Sequence, residues 1–273
     1  MNKFNPEELK RLYTPPKDSH KGQNGKLLVI GGSKLFHAAS LWSLKIASRI
    51  VDMVFYSSIA DNNEIVQKVK EEFRDGIVVP RSQISHYIDE ADCVLIGPGL
   101  PRLEGQEAED DDTKQLTEGL IKKYPNKKWV IDGGSLQVMD PELLKTLGGN
   151  VIITPHQGEF EKLFQVTSNK EQVTRMAKEY NCIILLKGES DIVCSPAQCV
   201  EVSGGNAGMT KGGTGDVLAG LVAALACKND LFLAACAGSY INKKAGDSLY
   251  KTVGPYFNSS DLVDEIPKIM KTL

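Results

Sequence analysis

Hydrophobic positions along this chain fall into two alternating patterns. Short continuous apolar runs, each closed by glycine or a polar turn, cover Lys26–Ile30, Met53–Ser57, Ile77–Val79, Cys93–Ile96, Lys128–Ile131, Val151–Ile153 and Ile183–Leu186. Between them stand segments with apolar residues at helical spacing, at 38–50, 62–73, 83–88, 141–147, 160–164 and 169–180. Runs without polar alternation suit strands covered on both faces, so the pattern predicts a mainly parallel sheet with helices between the strands. Residues 192–194 and 199–202 flank Ser195-Pro196-Ala197-Gln198 and predict a hairpin. Two apolar helices are expected at 216–227 and 231–249, and a last helix from Ser260, as its N-cap, to about Met270. The reading is an α/β fold in one domain over 1–273, with the polar residues 1–25 as a leading arm and turn.

The acidic run Glu104–Asp112 reads as the solvated start of a helix reaching about Tyr124. Metal binding by Asp110-Asp111-Asp112 is disfavoured, since consecutive helical residues do not face one way.

Composition changes this picture only at the margins. With 273 residues, 41% apolar and 25% charged, the chain can bury a large core without disulfides. A net charge of −3 argues against a broad nucleic-acid surface and leaves room for a small cationic nucleotide pocket. No apolar run approaches the ~18 residues of a membrane span. The first residues lack the apolar core of a secretory signal, so a cytoplasmic location is the default expectation. The six cysteines include no CxxC pair, and Cys93 and Cys182 read as small buried hydrophobes in a reducing compartment. The four histidines show no zinc-ligand spacing to them.

Candidate chemistry collects where strands end. Those ends carry Gly31-Gly32-Ser33, Gly97-Pro98-Gly99, Asp132-Gly133-Gly134, Thr154-Pro155-His156 and Lys187-Gly188, and a further turn, Gly212-Gly213-Thr214-Gly215-Asp216, opens a helix. In open α/β sheets ligands bind beyond the carboxyl ends of the strands. Free N–H groups at a glycine-rich helix start suit a phosphate, and Asp216 beside them suits a base that deprotonates an attacking hydroxyl. Amides and Lys187 can neutralise phosphate charge, and Asp132 and Glu159 can hold Mg²⁺ directly or through water. The set is not a Walker A loop, since GxxxxGK followed by Ser or Thr is absent, and GGTGD is not a dinucleotide GxGxxG. Structural alternatives stay open. Asp216 could be a helix cap, His156 could satisfy a backbone group, Lys187 could snorkel at a strand end, and Glu159 could be a first-turn acid.

The segments NGKLLVIGGS, VLIGPGL, ITPHQGEFEKL, LLKG and GNAGMTKGGTGDVLAG, in this order, resemble the ADP/ATP-dependent NAD(P)H-hydrate dehydratases over about residues 20–270. The resemblance implies a ribokinase-like three-layer fold and a repair enzyme with no room for the epimerase domain fused to many relatives. It implies phosphorylation of the ring hydroxyl of (6S)-NAD(P)H hydrate by ADP or ATP, then loss of phosphate. By resemblance Asp216 is the base, and Gly212, Gly213, Thr214 and Gly215 form the anion hole. Ala39, Gly99, His156 and Asp216 match hydrate-binding positions. Lys187, Gly188, Glu189, Ser190, Asp191 and Gly215 match the adenine-nucleotide site, and Glu159, with Asp132, matches a Mg²⁺ site. A homo-oligomer, a separate epimerase acting in the same pathway, and no nucleic-acid or membrane partner are also implied. The chain departs from the family at His37-Ala38-Ala39, where PGA is common. It departs again at Asp132-Gly133-Gly134-Ser135, which lacks the second acid of Asp-Ala-Asp. A small hydroxymethyl or sugar kinase, and a nucleotide-binding protein without catalysis, are the alternatives weighed against this reading.

Overall fold

A computed structural model describes residues 2–69, 75–102 and 110–273. Among the described residues ten strands form one sheet: β1 Asn2–Lys3, β2 Lys26–Ile30, β3 Met53–Ser57, β4 Ile77–Val78, β5 Cys93–Ile96, β6 Lys128–Ile131, β7 Val151–Ile153, β8 Ile183–Leu186, β9 Asp191–Cys194 and β10 Cys199–Val202. Their order is β1-β10-β9-β8-β7-β6-β5-β2-β3-β4. Among the described residues, β9 alone runs against the others. The carboxyl ends of β2, β5, β6, β7 and β8 therefore lie along one edge, which is what brings the motif-bearing turns together.

Residues on each strand alternate between two cores. Leu27, Val29, Cys93, Leu95 and Val130 pack into one layer, while Leu28, Ile30, Val94, Ile96, Trp129 and Ile131 pack into the other. That two-sided burial is why the strands read as unbroken apolar runs. The first layer holds α1 His37–Ala47, α9 Thr214–Lys228, α10 Leu231–Val253 and α11 Ser259–Met270. Val66 of α2, Ala60–Val69, joins that layer. The second layer holds α3 Ile84–Glu90, α4 Thr113–Lys123, α5 Gly133–Val138, α6 Glu142–Thr146, α7 Gln157–Phe164 and α8 Lys170–Glu179. α9 is wedged between the sheet, α1 and α10, and it is buried over 217–227. Contact with α1 is close: a Cβ on Gly220 would lie 2.6 Å from Ser43 Cα.

Several boundaries differ from expectation. The arm is tied down, since β1 pairs with β10 and Pro6–Arg11 forms a 3-10 turn. The acidic run does not open a helix in residues 110–112. Asp112 caps α4 through Gln115 N, Asp111 pairs with Arg81 at 2.6 Å, and Asp110 accepts from Lys34 N. The three acids thus serve separate partners, and Glu104 through residue 109 lie outside the described residues. α2 starts at Ala60, and positions 70–73 of the expected helix also lie outside. α5 was not expected. α11 is capped by Asn258 rather than Ser260, because Asn258 Oδ1 accepts from Ser260 N and Asp261 N while the Asp261 carboxylate accepts from Asn258 N. Cys93 and Cys182 are free and buried. Cys194 and Cys199, direct partners across the hairpin, form a disulfide, which corrects a reading of the cysteines based on a reducing compartment alone.

Candidate active site

The centre of the site is a group of four charged side chains at the ends of β6, β7, β8 and the start of α9. Lys187 Nζ donates to Asp132 Oδ1 at 2.9 Å and lies 3.9 Å from Glu159 Oε2. Thr154 Oγ1 donates to the same Asp132 oxygen at 2.8 Å, and Gln137 Nε2 donates to Glu159 Oε1. Asp132 and Glu159 are buried. Burial alone pulls the Lys187 ammonium down, but Asp132 and Glu159 outweigh it, and its pKa is held above the usual lysine range. Asp216 shows the reverse. Burial, then the nearby Asp132, pushes its carboxyl up to about 7 against the lowering effect of Lys187, and Glu159 adds to the rise. A carboxyl that titrates near neutrality can accept a proton at physiological pH and hold it.

The local sequence explains the placement of Asp216. Gly213 precedes α9 with φ +94°, and a Cβ there would lie 2.3 Å from the Trp42 ring, so this turn needs glycine. Gly215 and Asp216 then fall in the first turn of α9, where backbone N–H groups have no partner one turn back. The Thr214 hydroxyl donates to Met209 O and Lys211 O and its N–H donates to Lys211 O, so Thr214 stitches the turn. Gly212 has open space around its Cα, and its carbonyl accepts from Ser259 Oγ. Ser43 Oγ donates to the Asp216 carbonyl at 2.8 Å and fixes the turn to α1.

Ala39 and Gly99 lie against each other, and Ser43, further along α1, links that helix to the Asp216 turn. A Cβ at Gly99 would sit 3.0 Å from Ala39 Cβ, and Ala39 is one turn before Ser43 on α1. Gly97, at φ +120°, lets β5 turn under Asp132, whose carbonyl would be 1.7 Å from any Cβ placed there. His156 pairs with Lys187 through a parallel bridge and caps α7: its Nδ1 accepts from Glu159 N, and Glu159 Oε2 accepts from His156 N. With Nδ1 used, the half-exposed ring keeps Nε2, which lies 3.5 Å from Glu159 Oε1.

Lys187 and Gly215 line a cleft of about 530 Å³ together with Gly188, Glu189, Gly204–Ala207, and Asn242 and Lys243 of α10. Glu189 and Ser190 lie in the loop between β8 and β9. Asp191 lines the cleft, yet its carboxylate is consumed inside the protein. Oδ1 accepts from Gly188 N at 2.9 Å and pairs with Lys243 Nζ at 3.2 Å, and Oδ2 accepts from Ser239 Oγ at 2.7 Å. Lys243 also donates to the Gly188 and Glu189 carbonyls. Asp191 therefore shapes the loop instead of presenting a charge to a ligand. Sequence reading missed Ser43, Ser239, Asn242 and Lys243. The available signal was Lys243 itself, a charged residue beside core-spaced Ile241 and Ala245 in an apolar helix.

Among the described residues no group of three or more His, Cys, Asp or Glu side chains could hold a metal. The oxygen donors present, Asp132 and Glu159, fit a hard cation that keeps waters and shares phosphate oxygens, and do not make a protein-only cage. Nor, among the described residues, is any helix long and apolar enough to cross a membrane.

The profile of the NAD(P)H-hydrate dehydratase family matches residues 27–268. A bifunctional NAD(P)H-hydrate repair enzyme of Methanocaldococcus jannaschii is 37% identical over 272 residues, covering 97% of this chain and 52% of its own length. An ADP-dependent (S)-NAD(P)H-hydrate dehydratase of Nitrosopumilus maritimus is 34% identical over 274 residues, with 93% and 91% covered. The chain thus spans about half the length of the first curated relatives it matches. In fold it is similar to a ribokinase-like superfamily protein of Enterococcus faecalis (TM-score 0.85, 23% identity, 99% and 95% covered). It is similar also to the ADP/ATP-dependent NAD(P)H-hydrate dehydratase of Bacillus subtilis co-crystallized with ATP/Mg²⁺ (TM-score 0.79, 20% identity, 99% and 98% covered). With its ribokinase-like sheet and a match over nearly its whole length, this chain belongs to the NAD(P)H-hydrate dehydratase family.

Proposed function

We propose that the protein repairs (6S)-NAD(P)H hydrate at the expense of an adenine nucleotide. The observation that carries this reading is Asp216, a carboxyl with a pKa of about 7 in the first turn of α9, whose neighbours Thr214 and Gly215 line the cleft with Lys187. Asp216 takes the proton from the hydroxyl of the hydrated ring, and that oxygen attacks the terminal phosphorus of the nucleotide in the cleft. The P–O bond to the leaving nucleotide breaks as the new one forms. The first-turn N–H groups after Gly212 and Gly213 and the Lys187 ammonium receive the negative charge of the transferred group. Phosphate, a far better leaving group than hydroxide, is then expelled by the ring-nitrogen lone pair, and loss of a ring proton restores the double bond.

Ala39, Gly99 and the half-exposed ring of His156 face the hydrate, while Gly188, Glu189 and Ser190 line the nucleotide side. Asp132 and Glu159 would hold magnesium, which when bound neutralises phosphate charge. ADP is favoured as donor, since relatives matched over nine-tenths of their length are named ADP-dependent. A homo-oligomeric state and a separate epimerase in the same pathway belong to this reading through the resemblance alone. Incubation with hydrated NADH, Mg²⁺ and either ADP or ATP tests it: the NADH absorbance band is expected to return. Failure with both nucleotides overturns the reading, and a stable phosphorylated product would make the protein a kinase instead.

A further inference from the structure

The glycine turn at the start of α9 cannot hold its own shape. Gly212, Gly213 and Gly215 bring no side chains, and glycine backbone has more freedom to lose than any other. An anion hole stabilises developing charge only if its N–H groups already point where that charge appears. The structure fixes this turn through residues 255–260, which join α10 to α11. Ser259 is buried and donates from Oγ to the Gly212 carbonyl at 2.9 Å. Trp42 of α1 lays its ring against Gly213 and donates from Nε1 to Ser260 Oγ at 3.3 Å. Lys211, the residue before the glycines, donates from Nζ to the carbonyls of Pro255 and Phe257. Its ammonium lies 5.4 Å from the centre of the Phe257 ring, which is itself buried against Gly208.

Lys211 is the informative member of this set. A lysine beside a phosphate-binding turn has the charge to reach the phosphate. Here two of its three N–H donors are spent on carbonyls of the protein, and hydrogen bonds from a charged donor are the strong kind. The Lys211 carbonyl in turn accepts from Thr214 N and Oγ, so whatever fixes Lys211 fixes the first residue of α9. We propose that Lys211 is a positioning residue for phosphoryl transfer: by tying residues 255–257 to the turn it holds the amides after Gly212 and Gly213 in place, and it does not itself touch phosphate. This rests on the repair reading of the site.

Steady-state kinetics with hydrated NADH, Mg²⁺ and whichever of ADP and ATP supports turnover, beside equilibrium binding of that nucleotide, test the assignment. Lys211→Met is expected to lower kcat by about 10- to 100-fold and to leave both KM values and the nucleotide affinity within about threefold, since a misplaced donor is felt mainly in the transition state. Lys211→Arg, whose planar fork reaches the same two carbonyls, is expected to restore kcat to within about fivefold of the wild type. Ser259→Ala should show the same split between kcat and KM. The double variant should lose less than the product of the two separate losses, because both anchors act on one turn. Nucleotide affinity that falls in step with kcat in Lys211→Met overturns the proposal, since the lysine would then contact phosphate. So does an unchanged kcat with only a lower melting temperature, an arginine variant no better than the methionine one, or a double loss equal to the product. Failure of Lys211→Met to fold also overturns it, because the side chain would then support the whole domain rather than the turn. If the wild type returns no NADH with either nucleotide, the repair reading falls first, and that outcome is distinct because it involves no variant.

Discussion

Asp216→Asn should make the protein more stable at alkaline pH while removing its turnover. The folded-state carboxyl titrates near 7, and an ordinary aspartate near 3.8. Between those values the folded state binds the extra proton, so stability falls as pH rises through this window and the full cost is present above about pH 7. A difference of roughly 3 pH units, at about 1.4 kcal/mol each, sets the cost at about 4 kcal/mol as an upper bound. For a chain of this length that corresponds to about 7 °C in Tm. Asparagine has nearly the same shape and no charge, so it removes the cost. Calorimetric melting of both proteins at pH 5 and pH 8, with chelator and without nucleotide, measures it. The Asn variant should melt several degrees higher at pH 8, and the gap should shrink toward pH 5. Turnover should drop by about 10² to 10⁴, the usual contribution of a general base. A variant that melts lower than wild type at pH 8, or a gap independent of pH, would refute the argument that Asp216 is held at a strained ionisation.

In the wild type, kcat/KM for the repair reaction should rise with pH along a limb centred near 7, and replacing Asp132 with Asn should move that limb down by about one pH unit, because a like charge is removed. Lys187→Met should move the limb upward and cost about 3 kcal/mol in urea unfolding, since Asp132 and Glu159 lose their cation while staying buried. Gly220→Ala should destabilise by about 1–3 kcal/mol, because its Cβ would press on the Ser43 backbone, and chemical denaturation reads this directly. Lys243→Met frees the Gly188 and Glu189 carbonyls and should raise KM for the nucleotide far more than KM for the hydrate; a uniform change in both would contradict its place in the donor cleft.

Much of the fold was legible in the sequence because its strands are covered on both faces. Val151–Ile153 and Ile183–Leu186 need no partner information to be read as buried strands, and a glycine or polar turn after each run marks where the sheet ends. Boundaries set by side-chain capping were less legible. Ser260 looks like a cap, but Asn258 wins because its oxygen accepts from two amides and the Asp261 carboxylate accepts from Asn258 N. α5 is short and glycine-led, so local pattern gives it no signature. The Cys194–Cys199 pair became visible only through strand register, which places the two residues opposite one another.

The sequence by itself determined the α/β layering, the turns at the strand ends, and the residue types for phosphoryl transfer, beginning with Asp216. Those follow from periodicity and from residue chemistry, both of which are local. What each side chain has left to offer depends on its neighbours in the fold. Asp191 looks like a ligand in the chain and is spent on Gly188, Ser239 and Lys243 in the fold. Lys187 looks like a phosphate-binding cation and also sits between two buried acids. Asn242 is unremarked in its helix and in the fold lines the cleft, with a buried amide oxygen that has no partner. Burial, pairing and ionisation are set by neighbours far apart in the chain, and no local pattern carries them.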